Sequence, residues 1–267
     1  MAIGSRRRGR AMRDEPTIFP SAEDAQREAV IARLFDGVLR SARSQLLRAE
    51  SPLAAEVWGS GLMAVWDALP GGPGGDASFT EALIRHAAEL GTAEGMAVLA
   101  ALASVGPARV ATRARTAAAA LEQAGIAAPG WAGVAGTAVP TEAWIGSDVY
   151  GDQEIVIVGF TYPGMADDPG HSLCVLVDHT ERGVAKDAYP AAPLPQTLAR
   201  WREAEGDGIG LRPASLPEVA ARLADALLAT DFANSRKEAE GRTLGEMRAL
   251  LAARLHTMPP AAAVGVE

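Results

Sequence analysis

Asp148, Asp152, Asp178 and His179 are the residues whose types could do chemistry together. Asp148 and Asp152 flank Val149-Tyr150-Gly151, and Asp178-His179 leads straight into Thr180-Glu181-Arg182-Gly183. Three carboxylates near one imidazole could hold a divalent cation through oxygen atoms. One carboxylate could instead orient the imidazole as a general base. A plainer use is open to the same residues: aspartate at a turn accepts hydrogen bonds from its own backbone. The carboxylates would then diverge, and no resident metal or cofactor is expected.

Whether the four meet depends on the strands that carry them. EIVIVGFTY at 154–162 and HSLCVLVDH at 171–179 are continuous apolar runs, the pattern of strands covered on both faces. EAWIGSDVY at 142–150 and VAKDAY at 184–189 read as weaker strands on either side. At about 3.3 Å per residue, His171 and His179 are roughly 26 Å apart and cannot share a metal. In an antiparallel meander the turns at 150–153 and 180–183 fall at one end, which gathers the four candidates. The opposite end holds Tyr162, Asp167, Asp168 and His171. There PGMADDPG at 163–170 reads as a turn, or as an acidic loop gripping a cation or a basic partner. Lys186 is placed to pair with Asp178 across the last hairpin.

Helical spacing dominates the rest. Val30, Ile31, Leu34, Phe35, Val38 and Leu39 recur every three to four residues after Ser21. Ser51-Pro52 starts a second helix. After PGGPGGD at 70–76 come helices near 78–90, 93–104 and 107–124, separated by Gly91-Thr92 and Gly106-Pro107. Helices near 195–204, 215–232 and 243–256 follow the strands, and GDGIG at 206–210 reads as a loop. The spacing therefore predicts an α+β fold: an N-terminal helical array, a small four-stranded antiparallel meander, and C-terminal helices covering the sheet. The segments divide as a basic tail at 1–20 expected to be disordered, a helical region at 21–125, a linker at 126–141, the sheet with its helices at 142–258, and a frayed end at 259–267.

Composition limits the function classes. The 267 residues carry a net charge of −8, one cysteine and 48% hydrophobic residues. A single cysteine excludes a disulfide scaffold, and no run is long and apolar enough to span a bilayer. No membrane association is expected. The acidic body argues against a nucleic-acid binder, except through the tail, where Arg6, Arg7, Arg8, Arg10 and Arg13 form a short basic arm. That tail lacks the apolar core of a signal peptide. The expected location is the cytoplasm, with Met1 or Met12 as the start. Phosphate-loop, CxxC, HExxH and GxSxG patterns are absent. Cys174 lies inside an apolar strand and reads as a core thiol.

The segments LGTAEGMAVLAALASVGPARVATRARTAAAALEQAGI at 90–126, Pro129-Gly130-Trp131, DVYGDQEIVIVGFTYPG at 148–164 and HSLCVLVDHTERGVAKDAY at 171–189 resemble an uncharacterised actinobacterial protein family over roughly 78–258. The resemblance implies no activity and no site residue. The leading expectation is a non-enzymatic interaction or regulatory protein with a protein partner. The alternatives are a metal-assisted hydrolase built on Asp148, Asp152, Asp178 and His179, and a nucleic-acid-associated protein using the arginine arm.

Overall fold

The computed structural model describes residues 22–67, 77–203, 210–236 and 244–260. The basic arm with its five arginines and the last seven residues lie outside the described residues. The chain divides into two units, Met1–Gly37 and Val38–Glu267. In the first unit, the early turns of α1 (Ala22–Ser44) leave Val30 and Leu34 about half exposed.

In the second unit, helices come first. A short 3-10 turn at Leu46–Arg48 leads to α2 (Pro52–Asp67), α3 (Ala77–Leu90), α4 (Ala93–Val105) and α5 (Ala108–Gln123). Local chemistry sets their starts. Ser51 accepts from the Ala54 amide, and Thr92 from the Gly95 amide, as N-caps do. α4 is apolar all round and lies buried, as such a helix must. Its neighbours come close because glycines face them: a Cβ on Gly95 would lie 2.4 Å from the Ala87 carbonyl oxygen, and one on Gly59 would lie 3.1 Å from that of Ala101.

The sheet follows: β1 (Val139–Ser147), β2 (Gln153–Thr161), β3 (His171–Asp178) and β4 (Val184–Ala191). They form the expected antiparallel meander. A fifth strand, β5 (Gly210–Ala214), extends it beyond β1, giving the order β4-β3-β2-β1-β5. The expectation of four strands is thus short by one. Gly210 and Pro213 hide β5 in the sequence, since both are poor strand residues. Pro213 is tolerated because β5 is an edge strand. The stretch at 126–141 is likewise not a plain linker. Trp131 is buried there and its indole N–H donates to the Leu46 carbonyl at 2.9 Å, and β1 already begins at Val139.

Both sheet faces are covered, which explains the continuous apolar runs. Val156, Val158, Phe160, Leu173, Val175 and Val177 pack with α7 (Leu216–Arg236) and α8 (Arg248–Thr257) through Val219, Leu223, Leu250 and Leu251. Ile155, Ile157 and Cys174 pack with α6 (Leu194–Glu203) through Leu198 and Trp201. The β4 edge is closed by α7, where the Thr230 hydroxyl accepts from the Ala185 amide at 2.8 Å. Such closure removes a template for strand addition. The last helix starts at Arg248, after a 3-10 turn at 245–247, rather than at Thr243. Leu244 and Gly245 have positive φ, which no right-handed helix allows. The missing cap comes from another helix: Ser60 of α2 accepts from the Leu250 amide at 2.9 Å. Among the described residues, no helix is long and apolar enough to cross a membrane.

Cys174 is fully buried under α6, and burial pushes its thiol up to about 11. The folded protein should therefore resist an aromatic disulfide reagent at neutral pH and react with one equivalent after denaturation. Fast labelling of the native protein would contradict this packing.

Candidate functional site

The meander places Asp148, Asp152, Asp178 and His179 at one end, as turn parity predicts. The two turns are joined directly: the His179 amide donates to the Asp152 carbonyl at 2.8 Å. The side chains of Asp148 and Asp178, however, are spent on local bonds. Asp148 Oδ1 accepts from the Asp152 amide at 2.9 Å, and Gly151 turns the chain at φ 71. Asp178 Oδ1 accepts from the amide and hydroxyl of Thr180 and from the Glu181 amide. Its Oδ2 takes the Lys186 ammonium at 3.0 Å. The Thr180 and Lys186 bonds together hold the Asp178 carboxyl down at about 2. Among the described residues, no three His, Cys, Asp or Glu side chains are grouped to hold a metal ion.

His179 has a carboxylate neighbour, but it is Glu154, with His179 Nε2 lying 3.9 Å from Glu154 Oε2. Glu154 is buried and ion-paired with Arg222 of α7. The sequence offered a signal for it: Glu154 shares the alternation of Val156, Val158 and Phe160, so its side chain points to the α7 face. Among exposed polar neighbours such as Asp152, His179, Glu181 and Arg182, the end also exposes two large hydrophobic residues. Val149 is 72% and Tyr150 84% exposed, on the turn that Asp148 fixes.

A second polar cluster, of which the sequence placed only Tyr162 and His171 together, is almost wholly buried. Glu56 of α2, Tyr162 just past β2, His171 of β3 and Arg254 of α8 are 0%, 2%, 6% and 1% exposed. Glu56 Oε1 accepts from the Gly136 amide at 2.6 Å. Its Oε2 accepts from the Tyr162 hydroxyl at 2.6 Å and pairs with the Arg254 guanidinium. Because the phenol donates to Glu56, its oxygen is free to accept from Arg254 at 3.0 Å. Burial, with Glu56 alongside, holds this phenol far above its ordinary value, so it keeps its proton. Arg254 also reaches His171 Nε2 at 3.3 Å. A guanidinium can only donate, so Nε2 must be the accepting nitrogen of a neutral ring. His171 stacks against Phe160 and Tyr162 at centroid distances of 5.7 and 5.4 Å.

At that end of the sheet the acidic loop is a turn. Asp168 accepts from the Tyr162 amide at 2.6 Å and from the Gly170 amide at 3.1 Å, closing 162–170 on itself. No protein family model, no curated protein and no solved structure matches the chain. Roles for these residues rest on their geometry alone.

Burial, followed by the Arg254 charge, lowers the His171 pKa to about 4. The unfolded chain would take that proton near pH 6.5, before the folded protein does. Stability should therefore fall as pH drops from about 6.5 to 4, by on the order of 3 kcal/mol from this group. His171→Gln keeps an acceptor for Arg254 and does not titrate, so urea unfolding of this variant should lose that slope. An unchanged slope would exclude His171 as its source.

Proposed function

We propose that the chain is a protein-interaction module that docks a protein partner at the sheet end formed by the two joined turns. The observation that carries this reading is the Val149-Tyr150 pair, exposed on a turn whose backbone is fixed by Asp148. Tyrosine brings a large contact area with few rotatable bonds and is enriched among residues that dominate binding energy. A turn already held in one shape spends little entropy on association. The carboxylates of Asp148 and Asp152 flank the pair, so the fitting partner surface is an apolar pocket with a basic rim.

The hydrolase alternative draws less support from the same residues. Both Asp178 oxygens and Asp148 Oδ1 are committed to the turns. A role for Arg6, Arg7, Arg8, Arg10 and Arg13 on nucleic acid rests on their charge alone.

The test compares capture from an extract of the source cells by the wild-type chain and by Val149→Ser/Tyr150→Ser. Both side chains are solvent-exposed, so the variant should melt at the wild-type temperature. A partner held by the wild type should bind the variant about 30-fold or more weaker, the loss of one central anchor. Equal capture by both chains, or capture by neither, would remove this surface from the reading.

A further inference from the structure

At the opposite end of the sheet from those turns, under α6, lies a cleft of about 340 Å³. It does not involve Val149 or Tyr150 and stands independently of the docking proposal. Its construction starts with an irregularity in β1. The β1–β2 register shifts between Pro140 and Ala143, so β1 carries one extra residue opposite Gly159. Such a bulge re-aims side chains. Here Thr141 and Glu142 both line the cleft, together with Gly159 and Thr161 of β2. Gly159 is required for this: a Cβ there would lie 2.7 Å from Thr141 Oγ1 and 3.0 Å from Leu194.

The opposing wall is α6, which supplies Leu194, Pro195, Leu198 and Arg202. Arg202 is held in place over the Trp144 ring, 5.1 Å from its centroid. Glu142 and Arg202, one anionic and one cationic group, thus line the same cleft, and among the described residues no ion pair joins them. Thr141 and Thr161 add hydroxyl-bearing side chains to the lining, and Leu194 and Leu198 an aliphatic wall.

We propose that this cleft binds a small organic zwitterion of the free amino-acid class. Arg202 receives the carboxylate and Glu142 the ammonium. Thr141 and Thr161 hydrogen-bond the polar end, and an aliphatic side chain rests on Leu194 and Leu198. The volume is at the small end of ligand sites, which suits a molecule of this size. The pairing of charges also gives selectivity: a simple anion gains Arg202 but is repelled by Glu142, and a simple cation meets the reverse.

The test is a titration of the ¹⁵N-labelled full chain with each of the twenty free L-amino acids, followed by amide shifts. At least one aliphatic amino acid, with L-leucine as the first probe, should give saturable shifts confined to amides around Glu142, Gly159, Thr161 and Leu198. Its N-acetyl and carboxamide analogues, each lacking one charge, should bind at least about tenfold weaker. Glu142→Gln and Arg202→Gln, both at exposed positions, should each weaken binding by about tenfold without changing the melting temperature. Absence of saturable shifts up to about 10 mM, equal binding of a singly charged analogue, or binding unaffected by both substitutions would overturn the proposal.

Discussion

Glu56 and Arg254 are opposite charges placed where water does not reach, and the arrangement around them follows from that placement. An ion in a protein interior loses several kcal/mol of solvation. The loss is offset when the partner charge is close and most of the remaining lone pairs and protons are met; here the Glu56 oxygens are met, while the buried Arg254 Nε–H has no hydrogen-bond partner. Glu56 therefore needs the Gly136 amide and the Tyr162 hydroxyl as well as Arg254. Those needs fix α2, α8, the end of β2 and the turn before β1 against one another. They also fix the protonation of His171, since a second cation beside Arg254 would not be tolerated. One electrostatic requirement thereby positions four segments that are far apart in sequence.

The two ends of the sheet use polar residues differently. At the His171 end, charges are sealed inside and Asp168 closes the loop above them. At the His179 end, carboxylates tie down two exposed turns and leave Val149 and Tyr150 in solvent. The sealed end is suited to rigidity. In the proposed docking role, the open end would meet a partner with its turn shape already set. The cleft under α6 adds a place where a small molecule could meet the same rigid sheet, at its other end.

Much of this was legible in the residues. EIVIV and HSLCVLV announced strands with two covered faces, and the alternation of turns brought Asp152 and His179 to one end. Ser51-Pro52 and Ser215 marked helix starts that the structure keeps. β5 was not legible, because Gly210 and Pro213 disguise a strand that exists only through its pairing with β1. The start of α8 was displaced because Ser60 supplies the cap from 190 residues away. Turn parity placed Tyr162 and His171 of the buried cluster together, but Glu56 and Arg254 were not legible, for a related reason. Arg254 sits on the stripe of Leu250 and Leu251, and one arginine among 23 carries no mark until Glu56 is seen facing it. Local patterns report which face is inside; they do not report which distant partner closes a polar contact.

The Glu56–Arg254 pair holds the unit together through mutual compensation, and a double-mutant cycle measures that compensation. Glu56→Leu and Arg254→Met alone should each cost about 3–5 kcal/mol in urea unfolding, because each leaves one buried charge without its partner. The double variant should cost no more than either single one, since it leaves neither charge behind. Single costs below about 1 kcal/mol, or a double cost equal to the sum of the two, would show that the fold does not depend on this pair.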